Sequence, residues 1–589
     1  MVKTGEAFTE HIITDVYTKK HWGSNSKQTN PRSLFLYLTF AIIFTLIFLR
    51  VFFLQIIKGQ YYRGLSDNNR TKTVVIHAPR GIIFDRNGTA LVFNIPGFRE
   101  NINGKTILLN QEEALSQIAK GKKGLEIDSL RQYPYKDFSS HILGYLGQIS
   151  KEELKNPKYS DYMLSDLIGK DGIENTYESR LRGVDGKQLF EIDAKGNIVR
   201  KLGQDDPVSG QNITLTIDLN LQKKVFEAVK GVKKGAVIVS KPNGEILALV
   251  SKPSFDPNIF TLGQRYKPSS ESGYLTLEGV LQDFQNQPLL NRAISGVYPP
   301  GSTFKLVVAA SGLSDKIIDE AYEVEDTGIL HVGDFSFANW YYTGYGRTEG
   351  NVNVVKAIKR SNDIFFYKLA EKVGIDKISE TAKKFGVGNL LGIDLQGEAF
   401  GILPTRQWKK EAIGEQWYLG DTYHFGIGQG YLITTPLQVN VWTQVIANNG
   451  TLYKPFLLKE LKPVAINSNL LDNYSSGLLR QGMIESCAPG GVAWPLFNFK
   501  VKNSNLKIDD KNFIPVATGS ADMRQVVIAC KTGTAEHGGP KTLPHAWITL
   551  FAPAYNPQIV VTVLVEESGE GSNVAAPIAK KILEAWFSK

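Results

Sequence analysis

The hydropathy pattern contains one long apolar run, close to the N-terminus. Residues 34–49 carry no charge, and the apolar character continues past Arg50 to Ile57. A helix that crosses a bilayer needs about 20 apolar residues, and the long stem of an arginine near its end can reach the headgroups. The pattern therefore predicts a transmembrane anchor over residues 34–56, preceded by a cytoplasmic tail of residues 1–33.

A cleaved signal peptide and a buried helix of a soluble domain are the two alternatives to an anchor. A signal peptide has a shorter apolar core, and small residues mark a cleavage site after it, whereas Arg50-Val51-Phe52 follow this run. Basic residues flank the run equally on both sides, so they do not fix its orientation. Because long domains translocate largely regardless of charge, we expect an uncleaved single-pass anchor in the cytoplasmic membrane, with the N-terminus inside.

Beyond the anchor, the pattern of apolar positions changes near residue 210. Residues 57–210 are mixed in pattern and rich in turns. Within them, Asp85-Arg86-Asn87-Gly88 predicts a tight hairpin, and a charged helix is expected to end near Leu181. No nucleophile and base stand at a recognisable spacing there, so we interpret the region as a spacer or docking module.

Residues 211–589 have the pattern of a different domain. Residues 236–250 and 547–565 each contain two apolar runs around a turn, which predicts a hairpin in each place. Helical periodicity fills the long stretch between the two hairpins. Antiparallel strands at both ends with helices between them indicate an α+β domain.

Composition narrows the possible functions. Of the 589 residues 42 % are hydrophobic, which excludes a largely disordered chain. Cys487 and Cys530 are the only cysteines; they exclude a four-cysteine zinc module, and the sequence leaves open whether they pair. The histidines lack metal-ligand spacing, so we predict no metal and no cofactor. The net charge of +9 suits an anionic lipid or substrate without requiring nucleic acid.

A candidate nucleophile lies at the start of a predicted helix. Pro299-Pro300-Gly301 precede Ser302, and an apolar helical stretch follows Lys305. Residues i and i+3 of a helix share a face, so the Lys305 amine can lie against the Ser302 hydroxyl. A serine nucleophile needs a base, and lysine serves if burial, a nearby cation or the helix N-terminus lowers its pKa. The chain has no Gly-x-Ser-x-Gly elbow, which disfavours an α/β-hydrolase.

The Ser-x-x-Lys spacing alone is weak evidence, because Ser24–Lys27 and Ser504–Lys507 repeat it. The order of three motifs is more specific. Ser361-Asn362-Asp363 follows the Ser302 motif and stands before an apolar helix, and Lys531-Thr532-Gly533 ends a predicted strand. This ordered triple is typical of serine acyltransferases that act on D-Ala-D-Ala peptides and β-lactams.

Each residue of the third motif has a chemical task in such an enzyme. Lys531 would attract a substrate carboxylate and disfavour protonation of Lys305, and the Thr532 and Thr534 hydroxyls would bind the same carboxylate. Gly533 lacks a side chain, so a peptide could lie along the strand edge.

Two backbone N–H groups and one hydroxyl complete the predicted machinery. The N–H groups of Ser302 and Thr534 would form an oxyanion hole. The Ser361 hydroxyl would relay a proton to the leaving amine.

Further segments resemble the class B penicillin-binding proteins, and among them the elongation type. Residues 78–88 are similar to the pedestal signature of that family. Residues 417–422, 426–431 and 544–553 are similar to segments of the elongation type. Asp363 also fits this type, since septal relatives usually carry Asn there.

The resemblance implies a fold, a reaction and partners. The fold would combine the anchor, an elongated mixed pedestal domain (57–210) and a transpeptidase domain (211–589) like the serine β-lactamases. The reaction would be the D,D-transpeptidation of peptidoglycan stem peptides during lateral elongation of the cell wall, inhibited by β-lactams. Partners would be a SEDS-family glycan polymerase and other proteins of the elongation complex.

The same resemblance assigns roles to the three motifs. Ser302 would be the nucleophile, Lys305 the base, Ser361 and Asp363 the second motif, and residues 531–533 the third. A septal transpeptidase and a hydrolytic D,D-carboxypeptidase remain alternatives. So does a non-enzymatic β-lactam-binding scaffold or sensor, although a leader of 33 residues is short for a signalling domain.

The chain departs from the family pattern at three places. Cys530 stands where a Gly is usual, and Gly344-Tyr345-Gly346 where many relatives have Gly-His-Gly. Residues 498–524 are long and polar, which predicts an inserted loop.

Overall fold

The computed structural model describes residues 31–588 except 103–104, 123, 194, 264–265, 269–272, 517–521 and 540–541. Most of the predicted tail, including Ser24–Lys27, lies outside these residues. The chain divides into two compact units. One unit comprises residues 1–74 and 188–204, and the other comprises residues 75–187 and 205–589.

The elements up to residue 214 are mostly short. The helices are α1 (Pro31–Phe52), α2 (Gly59–Arg70), α3 (Gln111–Ala119), α4 (Ser140–Leu143), α5 (Gly172–Thr176) and α6 (Glu178–Leu181). The strands are β1 (Thr71–Ile76), β2 (Ile83–Phe84), β3 (Ala90–Ile102), β4 (Lys105–Asn110), β5 (Glu126–Gln132), β6 (Leu146–Gln148), β7 (Leu167–Gly169), β8 (Gly186–Ile192), β9 (Ile198–Asp205) and β10 (Ile213–Thr214).

The first unit contains the predicted anchor. Helix α1 continues through one π-helical turn, Phe53–Ile57, so residues 31–57 form one apolar helical stretch, within which an 18-residue window has a mean hydropathy of 2.5. None of the side chains of α1 is buried. By length and composition this helix can cross a bilayer, as the sequence predicts for residues 34–56.

The pedestal part of the second unit is built on a five-stranded sheet. Its strand order is β10-β2-β3-β4, with β5 paired to β3. The predicted hairpin joins β2 to β3, with Gly88 at φ +86°. The Asp85 carboxylate accepts from the N–H groups of Asn87 (2.9 Å) and Thr89 (2.8 Å), which closes the turn.

A buried ionic cluster explains Arg80 of the pedestal signature. Its guanidinium lies 2.6 Å from a carboxylate oxygen of Glu174 and 2.6 Å from one of Glu178, and Arg131 lies 2.7 Å from Glu174. Both glutamates are fully buried. Removing one partner of such a cluster leaves an uncompensated buried charge, at a cost of about 3–5 kcal/mol. Arg80 therefore has a structural task.

The elements after residue 214 build the larger domain. The helices are α7 (Leu219–Ala228), α8 (Leu277–Gln282), α9 (Lys305–Ser314), α10 (Trp340–Tyr345), α11 (Val354–Arg360), α12 (Asp363–Val373), α13 (Ile375–Lys384), α14 (Arg406–Ala412), α15 (Leu419–Gly426), α16 (Pro436–Ala447), α17 (Asn473–Ser486) and α18 (Ala575–Phe587). The strands are β11 (Gly235–Ser240), β12 (Ile246–Lys252), β13 (Glu323–Asp326), β14 (Ile329–Val332), β15 (Phe335–Ala338), β16 (Gly350–Asn353), β17 (Leu452–Tyr453), β18 (Ala465–Asn467), β19 (Lys500–Lys502), β20 (Phe513–Pro515), β21 (Met523–Val526), β22 (Ala529–Ala535), β23 (His545–Ala552) and β24 (Ile559–Val565).

An antiparallel sheet of five strands forms the centre of this domain. Its order is β12-β11-β24-β23-β22, so the two predicted hairpins join in one sheet and β22 lies at its edge. Side chains of a strand alternate between the two faces. One face packs with α7 and α18 in one apolar cluster, and the other with α9, α12 and α16. The expected α+β fold is confirmed.

Two local predictions differ from the structure. The charged helix that was expected to end near Leu181 is two short helices, α5 and α6, separated at Tyr177. Residues 498–524 contain a small sheet of order β19-β21-β20 rather than a loop, with residues 517–521 outside the described part. Strand pairs this short carry too little periodicity to be recognised in a polar stretch.

Candidate active site

Ser302 lies in a single 3-10 turn, Gly301–Thr303, that leads into α9. Gly301 has φ +52°, and a Cβ on it would lie 2.8 Å from the carbonyl oxygen of Thr534. Its N–H donates to the carbonyl of Gly428 at 2.9 Å. Ser302 is partly exposed, whereas Gly301 and Thr303 are buried. The turn therefore holds the Ser302 hydroxyl at the surface, between β22 and the segment after α15.

Lys305 is fully buried, and the second motif binds its amine. Its Nζ donates to Asp363 Oδ1 at 2.6 Å, to the Ser361 carbonyl at 2.8 Å and to Ser361 Oγ at 3.4 Å. Among the described residues the structure records no hydrogen bond from Nζ to Ser302 Oγ, the contact expected from the i, i+3 spacing. A carboxylate is a stronger acceptor than a hydroxyl, so the amine turns towards Asp363.

The electrostatic surroundings of Lys305 favour its neutral form. Burial lowers the pKa of the Lys305 amine below its ordinary value, and the Asp363 carboxylate opposes that shift. A lysine can act as a base only when it has lost its proton. The surroundings of Lys305 therefore shift its pKa in the direction that general-base chemistry requires.

The second motif joins two helices. Ser361 ends α11 in the left-handed conformation, at φ +54°. Asn362 caps α12 by accepting from the N–H of Phe365 at 2.9 Å. Asp363 is the first residue of α12, and its Oδ2 accepts from the N–H of Trp340 at 2.9 Å. The break between the helices thus presents the Ser361 hydroxyl and the Asp363 carboxylate to Lys305.

Lys531, which is expected to attract a substrate carboxylate and to disfavour protonation of Lys305, is held inside the protein. It is fully buried on β22, and its Nζ donates to Ser361 Oγ at 2.8 Å and to the Thr532 carbonyl at 2.9 Å. Burial, and next the positive charge of Lys305, lower the pKa of the Lys531 amine well below its ordinary value. The Lys531 amine thus binds the hydroxyl of Ser361.

The rest of the third motif lies between Lys531 and the turn that carries Ser302. Thr532 is buried and Thr534 is exposed. A Cβ on Gly533 would lie 3.0 Å from Thr303 Cγ2 and 3.1 Å from the Pro300 carbonyl. Glycine is favoured here because β22 packs closely on that turn, a reason that adds to the strand edge expected from the sequence.

The structure therefore brings all eight predicted site residues together, from α9, the α11–α12 break and β22. Sequence reasoning missed the N–H of Trp340, which lies 23 residues before its acceptor Asp363. A backbone donor leaves no side-chain signal in the sequence.

A disulfide links the strand of the third motif to a neighbouring helix. Cys530, next to Lys531, pairs with Cys487 at the end of α17, with 5.9 Å between the Cα atoms. The sequence alone left this pairing open. Within the described residues, no group of three or more His, Cys, Asp or Glu side chains could hold a metal ion.

Two family models match most of the chain after the apolar helix. The family model for the penicillin binding protein transpeptidase domain matches residues 234–584, and that for the penicillin-binding protein dimerisation domain matches residues 105–215. The chain belongs to the penicillin-binding proteins. The resemblance of this chain to the elongation type is confirmed by curated proteins of similar sequence, which are peptidoglycan D,D-transpeptidases named MrdA. The peptidoglycan D,D-transpeptidase MrdA of Acinetobacter baumannii is 33 % identical over 91 % of this chain and 84 % of the relative.

Solved structures of penicillin-binding proteins have the same fold. The PBP2 of Helicobacter pylori, in complex with MreC, is 28 % identical with a TM-score of 0.71, over 88 % of this chain and 98 % of its own. A similar fold is found in a chain of a peptidoglycan synthase complex that coordinates polymerization and crosslinking. This neighbour is 28 % identical with a TM-score of 0.68, and the match covers 94 % of this chain and 98 % of the neighbour.

Proposed function

We propose that this penicillin-binding protein is a membrane-anchored peptidoglycan D,D-transpeptidase of the elongation type, which works through an acyl-enzyme on Ser302. The observation that supports this most directly is the chain of contacts from Asp363 through Lys305 and Ser361 to Lys531. It joins two amines of lowered pKa to the Ser361 hydroxyl, and Lys305 lies three residues after the partly exposed Ser302.

Acylation would begin at the Ser302 hydroxyl. Its Oγ bonds to the carbonyl carbon of the penultimate D-Ala, and its proton passes to the neutral amine of Lys305. The N–H groups of Ser302 and Thr534 bind the oxyanion; a single donor of this kind is worth about 3 kcal/mol in other acyl-transfer enzymes. The close approach of Gly301 to the Thr534 carbonyl supports this placement.

Release of the terminal D-Ala needs a proton on its nitrogen as the amide bond breaks. The Ser361 hydroxyl would donate it and recover a proton from Lys305, because Ser361 Oγ lies 3.4 Å from Lys305 Nζ. An amine of a neighbouring stem peptide then attacks the ester carbonyl and loses a proton to Lys305. As the bond from that carbon to Ser302 Oγ breaks, Lys305 returns the proton to Oγ, which restores Ser302 and its neutral base. The Thr532 and Thr534 hydroxyls, on the edge strand, would bind the carboxylate of the D-Ala-D-Ala donor.

Labelling with a fluorescent penicillin tests the nucleophile. We expect Ser302→Ala to abolish labelling of the full chain, and Ser504→Ala to leave it intact, since Ser504–Lys507 has the same spacing without the other two motifs. Label that survives Ser302→Ala would contradict the proposal. Analysis of products with and without an acceptor amine separates transpeptidation from the hydrolysis of a D,D-carboxypeptidase.

The catalytic domain would lie outside the cytoplasmic membrane, with the N-terminus inside. The apolar helix over residues 31–57 supports an anchor, and the Cys487–Cys530 disulfide fits an oxidising compartment. Protease treatment of intact and of permeabilised spheroplasts tests the orientation. We expect digestion of the large domain in intact spheroplasts, and its protection there would contradict this topology.

A SEDS-family glycan polymerase and other elongation proteins would be partners. The similarity to the PBP2 that binds MreC and to a chain of a peptidoglycan synthase complex supports this. Reconstitution of the full chain with a SEDS polymerase and lipid-linked precursor tests it. We expect cross-linked glycan with both proteins present and uncross-linked glycan when Ser302→Ala replaces this one.

A further inference from the structure

Asp326 is a buried carboxylate at the end of β13, beside the second motif. It is 3 % exposed. Its Oδ1 accepts from the N–H of Gly328 at 2.9 Å. Its Oδ2 accepts from the N–H of Glu349 at 3.0 Å and from the side-chain amides of Asn339 and Asn362, both at 2.9 Å. Neutral donors alone thus surround this carboxylate within the described part of the chain.

One of these donors belongs to the second motif. Asn362 Nδ2 donates a hydrogen bond to Asp326, and Asn362 Oδ1 caps α12 by accepting from the N–H of Phe365. With donor and acceptor both engaged, this amide has a single satisfied orientation. Asp326 therefore fixes the residue between Ser361 and Asp363.

A second donor leads to the carboxylate that holds the base. Asn339 gives its Nδ2 to Asp326, and its Oδ1 accepts from the N–H of Asp363 at 3.2 Å. The next residue, Trp340, donates its N–H to Asp363 Oδ2 at 2.9 Å. Asp363 Oδ1 remains for Lys305 Nζ, at 2.6 Å. A chain of direct contacts therefore runs from Asp326 to Lys305.

We propose that Asp326 is a positioning residue for the acylation reaction, which orients Asp363, and through it the amine of Lys305, by way of Asn339 and Asn362. The inference rests on the proposed function, because it gives Lys305 the task of the base. Asp326 itself touches no reacting atom.

The chemistry of the four donors requires a carboxylate at this position. An ionised carboxylate only accepts hydrogen bonds, whereas an amide has one accepting oxygen and a donating nitrogen. In Asp326→Asn, the new NH₂ group would face either the N–H of Gly328 or the three donors that meet at Oδ2. The substitution keeps the size of the side chain and disrupts at least one contact.

The acylation rate of the full chain by a fluorescent penicillin, measured against pH, tests the proposal. We expect Asp326→Asn to lower the rate per folded molecule about tenfold, the factor for one lost hydrogen bond to a charged group. The acid limb of the profile should also move to lower pH. In the described residues, Asp363 is the charged group that contacts the Lys305 amine directly, Lys531 shares Ser361 with it, and Asp326 reaches it through Asn339 and Asn362. A displaced Asp363 no longer opposes the effect of burial on the base.

Asp394→Asn is the matched control. Asp394 accepts from the N–H groups of Leu457 (2.7 Å) and Leu458 (2.9 Å), away from the three motifs. Its substitution should lower the melting temperature without moving the acid limb. If the acid limb of the rate profile of Asp326→Asn coincides with the acid limb of the unsubstituted protein, the proposal is overturned, whatever the melting temperature.

A second variant covers the case in which Asp326→Asn does not fold. Asn339→Ala leaves Asp326 in place and removes its bridge to the N–H of Asp363, so we expect the acid limb to move in the same direction. An unmoved limb in Asn339→Ala would overturn the proposal. Failure of the proposed function is a different result, because the unsubstituted protein would then take up no label at Ser302.

Discussion

The Nζ of Lys531 donates a 2.8 Å hydrogen bond to the Oγ of Ser361, so the amine of one sequence motif binds the hydroxyl of another, 170 residues away. Lys305 contacts the same hydroxyl at 3.4 Å. Ser361 is therefore the point at which the two buried lysines meet. Its roles in catalysis and in stability can be separated, because its backbone has an unfavourable conformation for serine.

Ser361→Gly should be more stable than Ser361→Ala, while both variants lose the hydroxyl that Lys531 binds and with it activity. The left-handed conformation at φ +54° costs a residue with a Cβ roughly 1 kcal/mol, and glycine avoids that cost. Loss of the hydroxyl should reduce acylation about 10²- to 10⁴-fold, the range for a group that transfers protons. Calorimetry and penicillin labelling measure the two effects. Ser361→Ala is the control, with the loss of acylation but no relief of the backbone cost; normal acylation in either variant would contradict the role of this hydroxyl.

Acylation should depend on pH through Lys305. The rate rises as the amine loses its proton, and burial places the pKa of Lys305 below the ordinary value of 10.5. Asp363→Asn removes the carboxylate that raises this pKa. The acid limb of the rate profile should therefore move to lower pH, while the maximal rate falls because the amine loses its 2.6 Å partner.

The control for Asp363→Asn is Asp376→Asn, which removes an exposed partner of Arg406. Exposed ion pairs contribute little, so this profile should match that of the unsubstituted protein. Movement of the Asp363→Asn limb to higher pH would contradict the assignment of Lys305 as the base.

Gly533→Ala should push β22, which carries the third motif, away from the turn that carries Ser302. The new Cβ would lie 3.0 Å from Thr303 Cγ2 and 3.1 Å from both the Pro300 carbonyl and Trp547 Cβ. Overpacking of this kind costs about 1–3 kcal/mol. We expect a lower melting temperature and slower acylation per folded molecule. At Gly231 a Cβ would meet nothing within 4 Å, so Gly231→Ala should leave acylation unchanged; equal rates for the two variants would refute the packing argument.

The disulfide should stabilise the protein and keep β22 on α17. A cross-link between Cys487 and Cys530, 43 residues apart, removes chain entropy from the unfolded state equivalent to about 4 kcal/mol. The double substitution of both cysteines by Ala should lower the melting temperature and slow acylation. Reductant should lower the melting temperature of the parent protein alone. A free thiol at either cysteine in purified, oxidised protein, found by peptide mass mapping, would contradict the pairing.

Much of the fold was predictable because its signals are long or regular. The apolar stretch at residues 34–56 and the hairpins at 236–250 and 547–565 each repeat a pattern over many residues. The order of the three motifs likewise predicted which residues would meet, although they come from distant parts of the chain.

The details of the site were not predictable, for physical reasons. The i, i+3 spacing placed Lys305 beside Ser302, but the stronger acceptor Asp363 takes its amine. Lys531 was expected to attract a substrate carboxylate and to disfavour protonation of Lys305, but its burial was not foreseen, because that depends on how β22 packs against the α11–α12 break. These outcomes are decided by competition among acceptors and by packing, which no local pattern encodes.

The acylation rate of Lys305→Ala in the full chain tests the central claim most directly. If the Lys305 amine is the base for Ser302, the second-order rate of labelling by a fluorescent penicillin should fall about 10²- to 10⁴-fold, while Lys507→Ala in the other Ser-x-x-Lys sequence reacts normally. Both variants should fold, with a lower melting temperature for Lys305→Ala because Asp363 loses its buried partner. A folded Lys305→Ala variant that acylates at the parent rate would contradict the account.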